Sequence, residues 1–224
     1  TSQINAIRHK DGPELVLAGP GSGKPLVITR RVQHLIDQYH VPPSAILVIT
    51  FTKAAATEMR QRFEKLIGGR RVPVSFGTFH AVYFMILKHA YGYTADNIVK
   101  EEQRLQFMKE YIRRLRLEYD DENEFISSLF SEISLIKNTS VNLAHYYSSC
   151  CGQDVFRNIF EAYENFLHQN RFIDFDDMLV YCKELLVQRP DILAAWQRKY
   201  QYILIDEFQD INQIQYDIIR MLAA

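Results

Sequence analysis

The sequence lacks a charge excess of either sign, a long apolar run and a metal-binding cysteine pattern. Its 26 basic and 27 acidic side chains give a net charge of −1, so bulk electrostatics do not favour nucleic acid and any such site has to be local. No apolar stretch approaches the roughly 20 residues that span a bilayer, which argues against a membrane-spanning helix. The cysteines, Cys150, Cys151 and Cys182, show no metal-ligand spacing, and we interpret them as ordinary thiols.

The first residues, 1–7, carry neither the basic start nor the apolar core of a signal peptide. The expected compartment is therefore the cytoplasm, with no membrane partner. Apolar residues make up 47% of the chain and charged residues 24%, which is typical of a globular protein. A chain of 224 residues is long enough for one large domain, or for a core domain with an inserted subdomain.

The first third of the chain alternates short apolar runs with helical patterns. This alternation predicts βαβ units around a parallel sheet, and hence an α/β fold. Strands are expected at 15–18, 46–51, 72–76 and 202–205, and helices at 26–36, 54–67 and 79–91. Pro190 fits the first turn of a further helix that runs to about residue 200.

The stretch from 94 to 170 has a different character, with helical stripes and no strand-like run. One stripe comprises Leu105, Met108, Ile112 and Leu115, and a second comprises Phe156, Ile159, Phe160, Tyr163 and Leu167. Their helical spacing predicts core faces rather than a binding surface. We therefore expect residues 94–170 to form an all-helical insertion in an α/β domain made of residues 1–93 and 171–224.

A glycine-rich segment follows the first expected strand and precedes a helical pattern. It reads Ala18, Gly19, Pro20, Gly21, Ser22, Gly23 and Lys24. A strand, a glycine-rich turn, Gly-Lys and a helix together indicate a phosphate-binding loop, in which backbone amides and the helix dipole hold phosphate oxygens. Lys24 would add a point charge at the phosphates. The alternative is a plain tight turn, but the structural context favours nucleotide binding.

Pro25 departs from the phosphate-loop pattern, which has Ser or Thr at that position. Proline has no hydroxyl to offer Mg²⁺ and no backbone amide to face a phosphate. The residue is structurally tolerated in the first turn of a helix. We expect Pro25 to weaken nucleotide binding and to impair hydrolysis more strongly.

A second polar signal is the acidic run at the end of the apolar strand at 202–205. In a phosphate-loop protein, carboxylates at this place meet the nucleotide-bound Mg²⁺. Asp206 would hold the metal, directly or through water, and Glu207 would position or deprotonate the attacking water. The acids could instead belong to an ordinary loop, but the upstream phosphate loop makes that the lesser reading.

The string Asp206, Glu207, Phe208, Gln209 and Asp210, with Gln215 and Tyr216 shortly after, resembles motif II of the UvrD/Rep/PcrA group of superfamily 1 DNA helicases. The resemblance covers almost the whole chain. It implies a RecA-like phosphate-loop sheet with an inserted helical subdomain, ATP and Mg²⁺ as cofactors, and a catalytic role for Gln209 beside Lys24 and Glu207. It also implies ATP-driven translocation on single-stranded DNA and 3′ to 5′ unwinding at duplex junctions.

Further motifs of the family occur along this chain in the order in which the family has them. Gln3, with Ala6 and Ile7, resembles the motif whose glutamine amide reads adenine, and Arg31 matches a family arginine in the helix after the phosphate loop. Arg31 could equally be solvated or structural. Residues 174–177 match a family segment that precedes motif II.

The resemblance also implies contacts with single-stranded DNA. Residues 50–56 resemble motif Ia and 77–80 the next DNA-contacting motif, so the expected contacts are Phe51, Thr52, Thr78, Phe79 and His80. Rings stack on bases without reading sequence, and hydroxyls bind phosphates. Phe51 and Phe79 each lie beside an apolar element, so either ring could be a core residue instead.

Motifs that the family carries beyond motif II, including arginines for the transition-state charge, have no match in the sequence. We therefore expect negligible ATP hydrolysis and no unwinding by this chain alone. Two alternatives stay open. One is a hydrolysis-deficient, nucleotide-gated DNA-binding module in which Pro25 marks a decayed site, although Lys24, Asp206, Glu207 and Gln209 argue against it. The other is the motor part of a helicase-nuclease.

Overall fold

The computed structural model describes residues 2–19, 21–139 and 141–224. By its internal contacts the chain divides into two compact units, residues 1–82 with 186–224 and residues 83–185. Each has its own hydrophobic cluster. In the described ranges, no helix combines the length and apolar character that crossing a membrane requires.

A three-stranded parallel sheet forms the centre of the first unit. Its strands are β1 (Ile46–Thr50), β2 (Ser75–Thr78) and β3 (Tyr202–Ile205), in the order β2-β1-β3. Val48 pairs with Phe76 on one side and with Leu204 on the other. Every residue of β1 is buried, as expected for the central strand of a parallel sheet covered on both faces. All three strands therefore end at the same edge.

Helices flank this sheet in the α/β arrangement that the sequence predicts. Those of the first unit are α1 (Ser2–Arg8), α2 (Lys24–Tyr39), α3 (Lys53–Leu66), α9 (Pro190–Lys199) and α10 (Gln213–Leu222), and α4 (Phe79–Tyr91) and α8 (Phe175–Gln188) span the unit boundaries. Leu35 of α2 and Phe63 of α3 belong to one cluster with Val48 of β1. This burial fixes α2, and with it the loop at the start of α2, against the sheet.

The second unit is helical in its described part, apart from an isolated bridge between Ile98 and Ile173. Its further helices are α5 (Glu101–Leu115), α6 (Glu122–Thr139) and α7 (Gln153–Gln169). The predicted stripes form its core, since Met108, Ile112 and Tyr163 have no exposed surface. The unit extends over residues 83–185, a wider range than the 94–170 expected for the insertion.

Two strand predictions need correction. Residues 15–18 form no strand, and Leu15 and Leu17 are 68% and 89% exposed. A strand requires a hydrogen-bonded neighbour, and none pairs with this apolar run among the described residues. The strand expected at 72–76 instead occupies Ser75–Thr78, because Pro73 has no amide to donate to a sheet ladder.

Candidate nucleotide-binding site

The glycine-rich segment forms a compact loop before α2. Gly21 and Gly23 have positive φ angles of 73° and 80°, a conformation that favours glycine. The Ser22 amide donates to the Gly19 carbonyl at 3.3 Å, and Gly23 caps the 16-residue helix α2. Ala18 and Gly19 precede this turn, and Pro20 of the predicted loop lies outside the described residues. The loop thus leads directly to the N-terminus of a long helix, the arrangement that suits an anion.

Lys24 connects this loop with the acidic end of β3. Its Nζ donates to Glu207 Oε2 at 2.8 Å, across 183 residues of sequence. Gln209 Nε2 donates to the same oxygen at 2.7 Å. The structure therefore brings together all three residues that the sequence motifs mark as catalytic.

These contacts shift the proton equilibria of the site. The hydrogen bond to Glu207 raises the pKa of Lys24, and the bonds from Lys24 and Gln209 lower the pKa of Glu207. Burial raises the pKa of Asp206, and the neighbouring charge of Glu207 adds to the effect. The two adjacent acids thus have opposite tendencies, with Glu207 held as the carboxylate by its donors.

Asp206 is held at the end of β3 by the sheet itself. Its amide donates to the Ile49 carbonyl at 2.9 Å, and the residue is 9% exposed. No set of three His, Cys, Asp or Glu side chains suited to a metal occurs in the described part of the chain. A nucleotide-bound Mg²⁺ does not need one, since phosphate oxygens and waters fill most of its positions. The chemistry of Lys24, the helix N-terminus and Asp206 fits such a group.

Pro25 is the second residue of α2. Its carbonyl accepts a hydrogen bond from Thr29 Oγ1 at 2.9 Å, so the residue is part of a regular first turn. The structure tolerates Pro25 as expected, and the helix provides no hydroxyl at this position.

Two predicted cofactor-binding residues outside the loop, Gln3 and Arg31, contact the loop and its surroundings. Gln3 Nε2 donates to the Ser22 carbonyl at 2.9 Å. Arg31 Nη1 donates to the Ala6 carbonyl at 2.7 Å and lies 3.1 Å from Glu14 Oε2. Burial lowers the pKa of Arg31. Arg31 thus ties α1 to the segment before the loop, and Glu14, its partner, had no signal in the sequence beyond its opposite charge.

The predicted DNA contacts lie at or just after the ends of β1 and β2. Phe51 is 38% exposed, whereas Phe79 is 1% exposed, and their ring centroids are 5.2 Å apart. Phe79 is therefore a core residue that supports Phe51. Thr52 Oγ1 accepts from the Ala55 amide and Thr78 Oγ1 from the Ala81 amide, so both threonines begin helices. His80 is half-buried.

One edge of the sheet carries both groups of residues. Phe51 and Thr52 follow β1, Thr78 ends β2 and is followed by Phe79 and His80, and Asp206 and Glu207 follow β3. Because β1 lies between the other two strands, the nucleotide residues and the DNA-contact residues lie on adjacent strands. Ligands of parallel α/β sheets bind at this edge.

Phosphate-loop proteins share three features that occur in this chain. They are a parallel sheet, a glycine-rich loop that ends in a lysine at a helix N-terminus, here Lys24, and acids at a strand end. Within that class, the family model for the UvrD/REP helicase N-terminal domain matches residues 1–224. The chain belongs to this family.

Relatives with helicase names align along the whole chain. ATP-dependent DNA helicase PcrA of Staphylococcus aureus (strain Mu50) is 31% identical over 100% of this chain and 31% of its own length. PcrA of Leuconostoc citreum is 35% identical over 99% and 30%. YjcD of Bacillus subtilis (strain 168), by its name a candidate ATP-dependent DNA helicase, is 37% identical over 100% and 30%. The chain thus spans about 30% of the length of these relatives.

Proposed function

We propose that this chain is the ATP-binding part of a DNA helicase that hydrolyses ATP and moves along single-stranded DNA. The observation that carries the proposal is the contact between Lys24 Nζ and Glu207 Oε2 at 2.8 Å. It joins a phosphate loop to the acids that serve hydrolysis in such proteins. The kinship with ATP-dependent DNA helicases supports the same reading.

Each residue of the site has a chemical task in this proposal. Lys24 leaves Glu207 and neutralises phosphate charge, while the amides before α2 hold the phosphate oxygens. Glu207, released from Lys24, accepts the proton of the attacking water, and Gln209 orients Glu207. Asp206 would hold Mg²⁺, which supplies charge neutralisation at the phosphates when bound. Gln3 would lie against the adenine, and Arg31 would be a further cofactor-binding residue.

The exposure of Phe51 supports the proposed contact with DNA. Phe51 offers a partly exposed ring for stacking on a base, which needs no particular sequence. Thr52, Thr78 and His80 lie at or just after the ends of the same two strands and would contact phosphates and sugars. We infer movement from 3′ to 5′ and action at duplex junctions from the family resemblance. The second unit, in this view, is the inserted helical subdomain.

Pro25 favours a second candidate, a nucleotide-gated DNA-binding module that does not hydrolyse ATP. Such a module would bind nucleotide without a requirement for Mg²⁺, because the usual hydroxyl ligand is replaced by proline. A Mg²⁺-dependent gain in ATP affinity in the natural chain favours the helicase. Equal affinity with and without Mg²⁺ favours the module.

The test is calorimetric titration of ATP into the natural chain, Lys24→Ala and the exposed control Lys88→Ala. We expect Lys24→Ala to bind at least about tenfold more weakly, since the variant cannot make a charge-assisted bond to phosphate. Lys88→Ala should bind like the natural chain. Equal affinity of all three proteins would refute nucleotide binding at this loop.

A further inference from the structure

The edge of the sheet opposite the candidate site carries a group of exposed cations. Strands β2 and β3 both run parallel to β1, so α3 and α9, which precede them, end at the edge where the strands begin. Lysines and arginines lie at these two helix ends and in the loop from α3 to β2. They form the basic cluster, whose exposed members are Lys65, Arg70, Arg71, Arg198 and Lys199.

A side-chain contact joins the two parts of the basic cluster, which both belong to the first unit. The hydroxyl of Tyr200, the residue after α9, lies 3.1 Å from Oγ of Ser75, the first residue of β2. The ammonium group of Lys199 lies 5.1 Å from the centre of the Tyr200 ring, a distance at which a cation and a ring attract each other. The end of α9 is thereby held against the strand that follows the two arginines of the loop.

Carboxylates do not neutralise the basic cluster. None of its five side chains forms an ion pair with another residue of the described ranges, and residues 65–75 and 196–201 contain no acid. Acids at or near this edge are Asp11, which pairs with Lys10, Asp37 at the end of α2 and Glu64 in α3. The edge therefore has an excess of positive charge in a chain whose net charge is −1.

The chemistry of the basic cluster fits carboxylates better than single-stranded DNA. The predicted DNA contacts lie at the other edge, across strands of four or five residues, a distance of about 13–16 Å. Trp196 and Tyr200, the rings next to Lys199, are only 7% and 4% exposed, so neither offers the stacking surface that sites for single strands use. Arginine side chains, in contrast, bind carboxylates through paired hydrogen bonds.

We propose that the basic cluster is a docking surface for an acidic segment of a partner protein. The glutamate and aspartate side chains of that segment pair with the arginines and lysines at both parts of the cluster. Exposed ion pairs are individually weak and are screened by salt, so the complex is reversible and sensitive to ionic strength. The proposal is independent of nucleotide and DNA binding, because no member of the cluster belongs to the candidate site.

The test measures the affinity of a fluorescein-labelled decaglutamate peptide for the whole chain by fluorescence anisotropy in low salt. One double variant, Arg70→Glu with Arg71→Glu, reverses the charge of the loop, and a second, Arg198→Glu with Lys199→Glu, reverses that of α9. We expect each to bind the peptide at least about tenfold more weakly than the natural chain, since attraction is replaced by repulsion at part of the surface. Unchanged affinity in either variant would overturn the proposal.

A control with the same change of charge separates the basic cluster from net charge. Lys88→Glu with Arg114→Glu alters two exposed residues of the second unit. It should bind the peptide within about threefold of the natural chain, because salt screens charges that lie far from the bound segment. An affinity loss in this control equal to that of the cluster variants would show attraction by net charge alone and contradict the proposal.

Neutral and conservative changes keep the test valid if the charge reversals unfold the chain. Arg70→Gln with Arg71→Gln should weaken peptide binding by about threefold or more, whereas Arg70→Lys with Arg71→Lys should stay within about threefold of the natural chain. Equal binding by the glutamine and lysine variants would refute a role for these charges.

Oligothymidine in the same assay distinguishes an acidic protein from nucleic acid. We expect it to leave the peptide bound and to bind the natural chain and the charge-reversal variants equally well. Displacement of the peptide, with an equal loss of oligothymidine affinity in the charge-reversal variants, would identify the cluster as a nucleic-acid surface and overturn the proposal.

Discussion

In the proposed function, Glu207 has two tasks that exclude each other, since its carboxylate cannot pair with Lys24 and accept a proton from water at the same time. In the structure it accepts hydrogen bonds from Lys24 and Gln209, and its backbone has a positive φ of 54°, which is strained for a residue with a side chain. In the proposed function, Glu207 is a poor base while it pairs with Lys24, so the movement of Lys24 to the nucleotide would release Glu207 for catalysis.

Glu207→Gln should strengthen ATP binding by up to about fivefold, since a partly exposed ion pair contributes about 0–1 kcal/mol and the substitution frees Lys24. The affinity is measured by calorimetry in low salt. Glu58→Gln, which breaks the exposed pair between Glu58 and Arg62, is the matched control and should leave the affinity unchanged. Weaker ATP binding by Glu207→Gln would show that Glu207 does not restrain Lys24.

Phe51→Ala should weaken binding to oligothymidine by about fivefold or more, because stacking contributes about 1–3 kcal/mol per base. Fluorescence anisotropy measures this, with Tyr147→Ala as a control at a 79% exposed aromatic ring. Unchanged DNA affinity in Phe51→Ala would exclude the stacking role.

Phe79→Ala, unlike Phe51→Ala, should lower the stability of the fold. Phe79 is 1% exposed, and truncation of a buried phenylalanine lowers the free energy of unfolding by about 3–5 kcal/mol. Urea denaturation followed by circular dichroism measures the change. A decrease below about 1 kcal/mol would contradict its assignment to the core.

At the scale of helices, a buried charge network joins α6, α7 and α8. Lys137 Nζ lies 2.7 Å from Glu164 and Asp177 and 3.0 Å from Asp174. The carboxylates of Asp174 and Asp177 also accept hydrogen bonds from each other's backbone amides, which caps the N-terminus of α8. The segment 174–177, noted for its resemblance to the family, therefore has a structural role in ordering α8.

Asp177 should make stability depend on pH. Burial, with the charge of Asp174 in addition, raises its pKa to about 7 against the opposing effect of Lys137, whereas its unfolded pKa is about 3.9. Between these values the folded chain holds a proton that the unfolded chain has released, so stability falls as the pH rises from about 4 to about 7. Asp174 has a lowered pKa, so its titration changes the stability at pH values below this window.

Asp177→Asn should flatten this decline, because the variant has no group that titrates at position 177. The measurement is the free energy of unfolding in urea at intervals from pH 4.5 to 7.5. Asp120→Asn, at an exposed aspartate, should keep the slope of the natural chain. An unchanged slope in Asp177→Asn would contradict the raised pKa.

The helices could be predicted more fully than the strands. The extents of α3, α4 and α9 follow from local spacing and from Pro190, so the sequence alone places them closely. The expected strand at 15–18 is wrong because pairing depends on a neighbour that periodicity does not reveal. Pairs such as Lys137 with Asp177 are likewise hidden, since their partners are separated by 40 residues.

The residues of the candidate site that belong to sequence motifs can be predicted, whereas those that join it only through contacts cannot. Residue type and spacing predict Lys24 and Glu207, the family resemblance adds Gln209, and the structure joins the three through Glu207 Oε2. The anchoring of Arg31 by Ala6 and Glu14 depends on packing, which no spacing rule describes.

For the molecule as a whole, a net charge of −1 gives no general attraction to DNA. Binding should depend on the sheet edge, where Lys53 follows Thr52 as the nearest cation in sequence. We expect a logarithmic slope of oligothymidine affinity against KCl between about −1 and −2, since each phosphate contact contributes about −0.7. A slope steeper than about −4 would reveal a basic surface outside this edge.

In the proposed function, ATP binds between the phosphate loop and the acids after β3. Hydrogen–deuterium exchange of the chain, with and without saturating ATP and Mg²⁺, tests this binding site. We expect slower exchange of amides in residues 19–27 and 203–210 and no change in the helical residues 101–139 and 153–169. Binding detected by calorimetry without protection of residues 19–27 would contradict it.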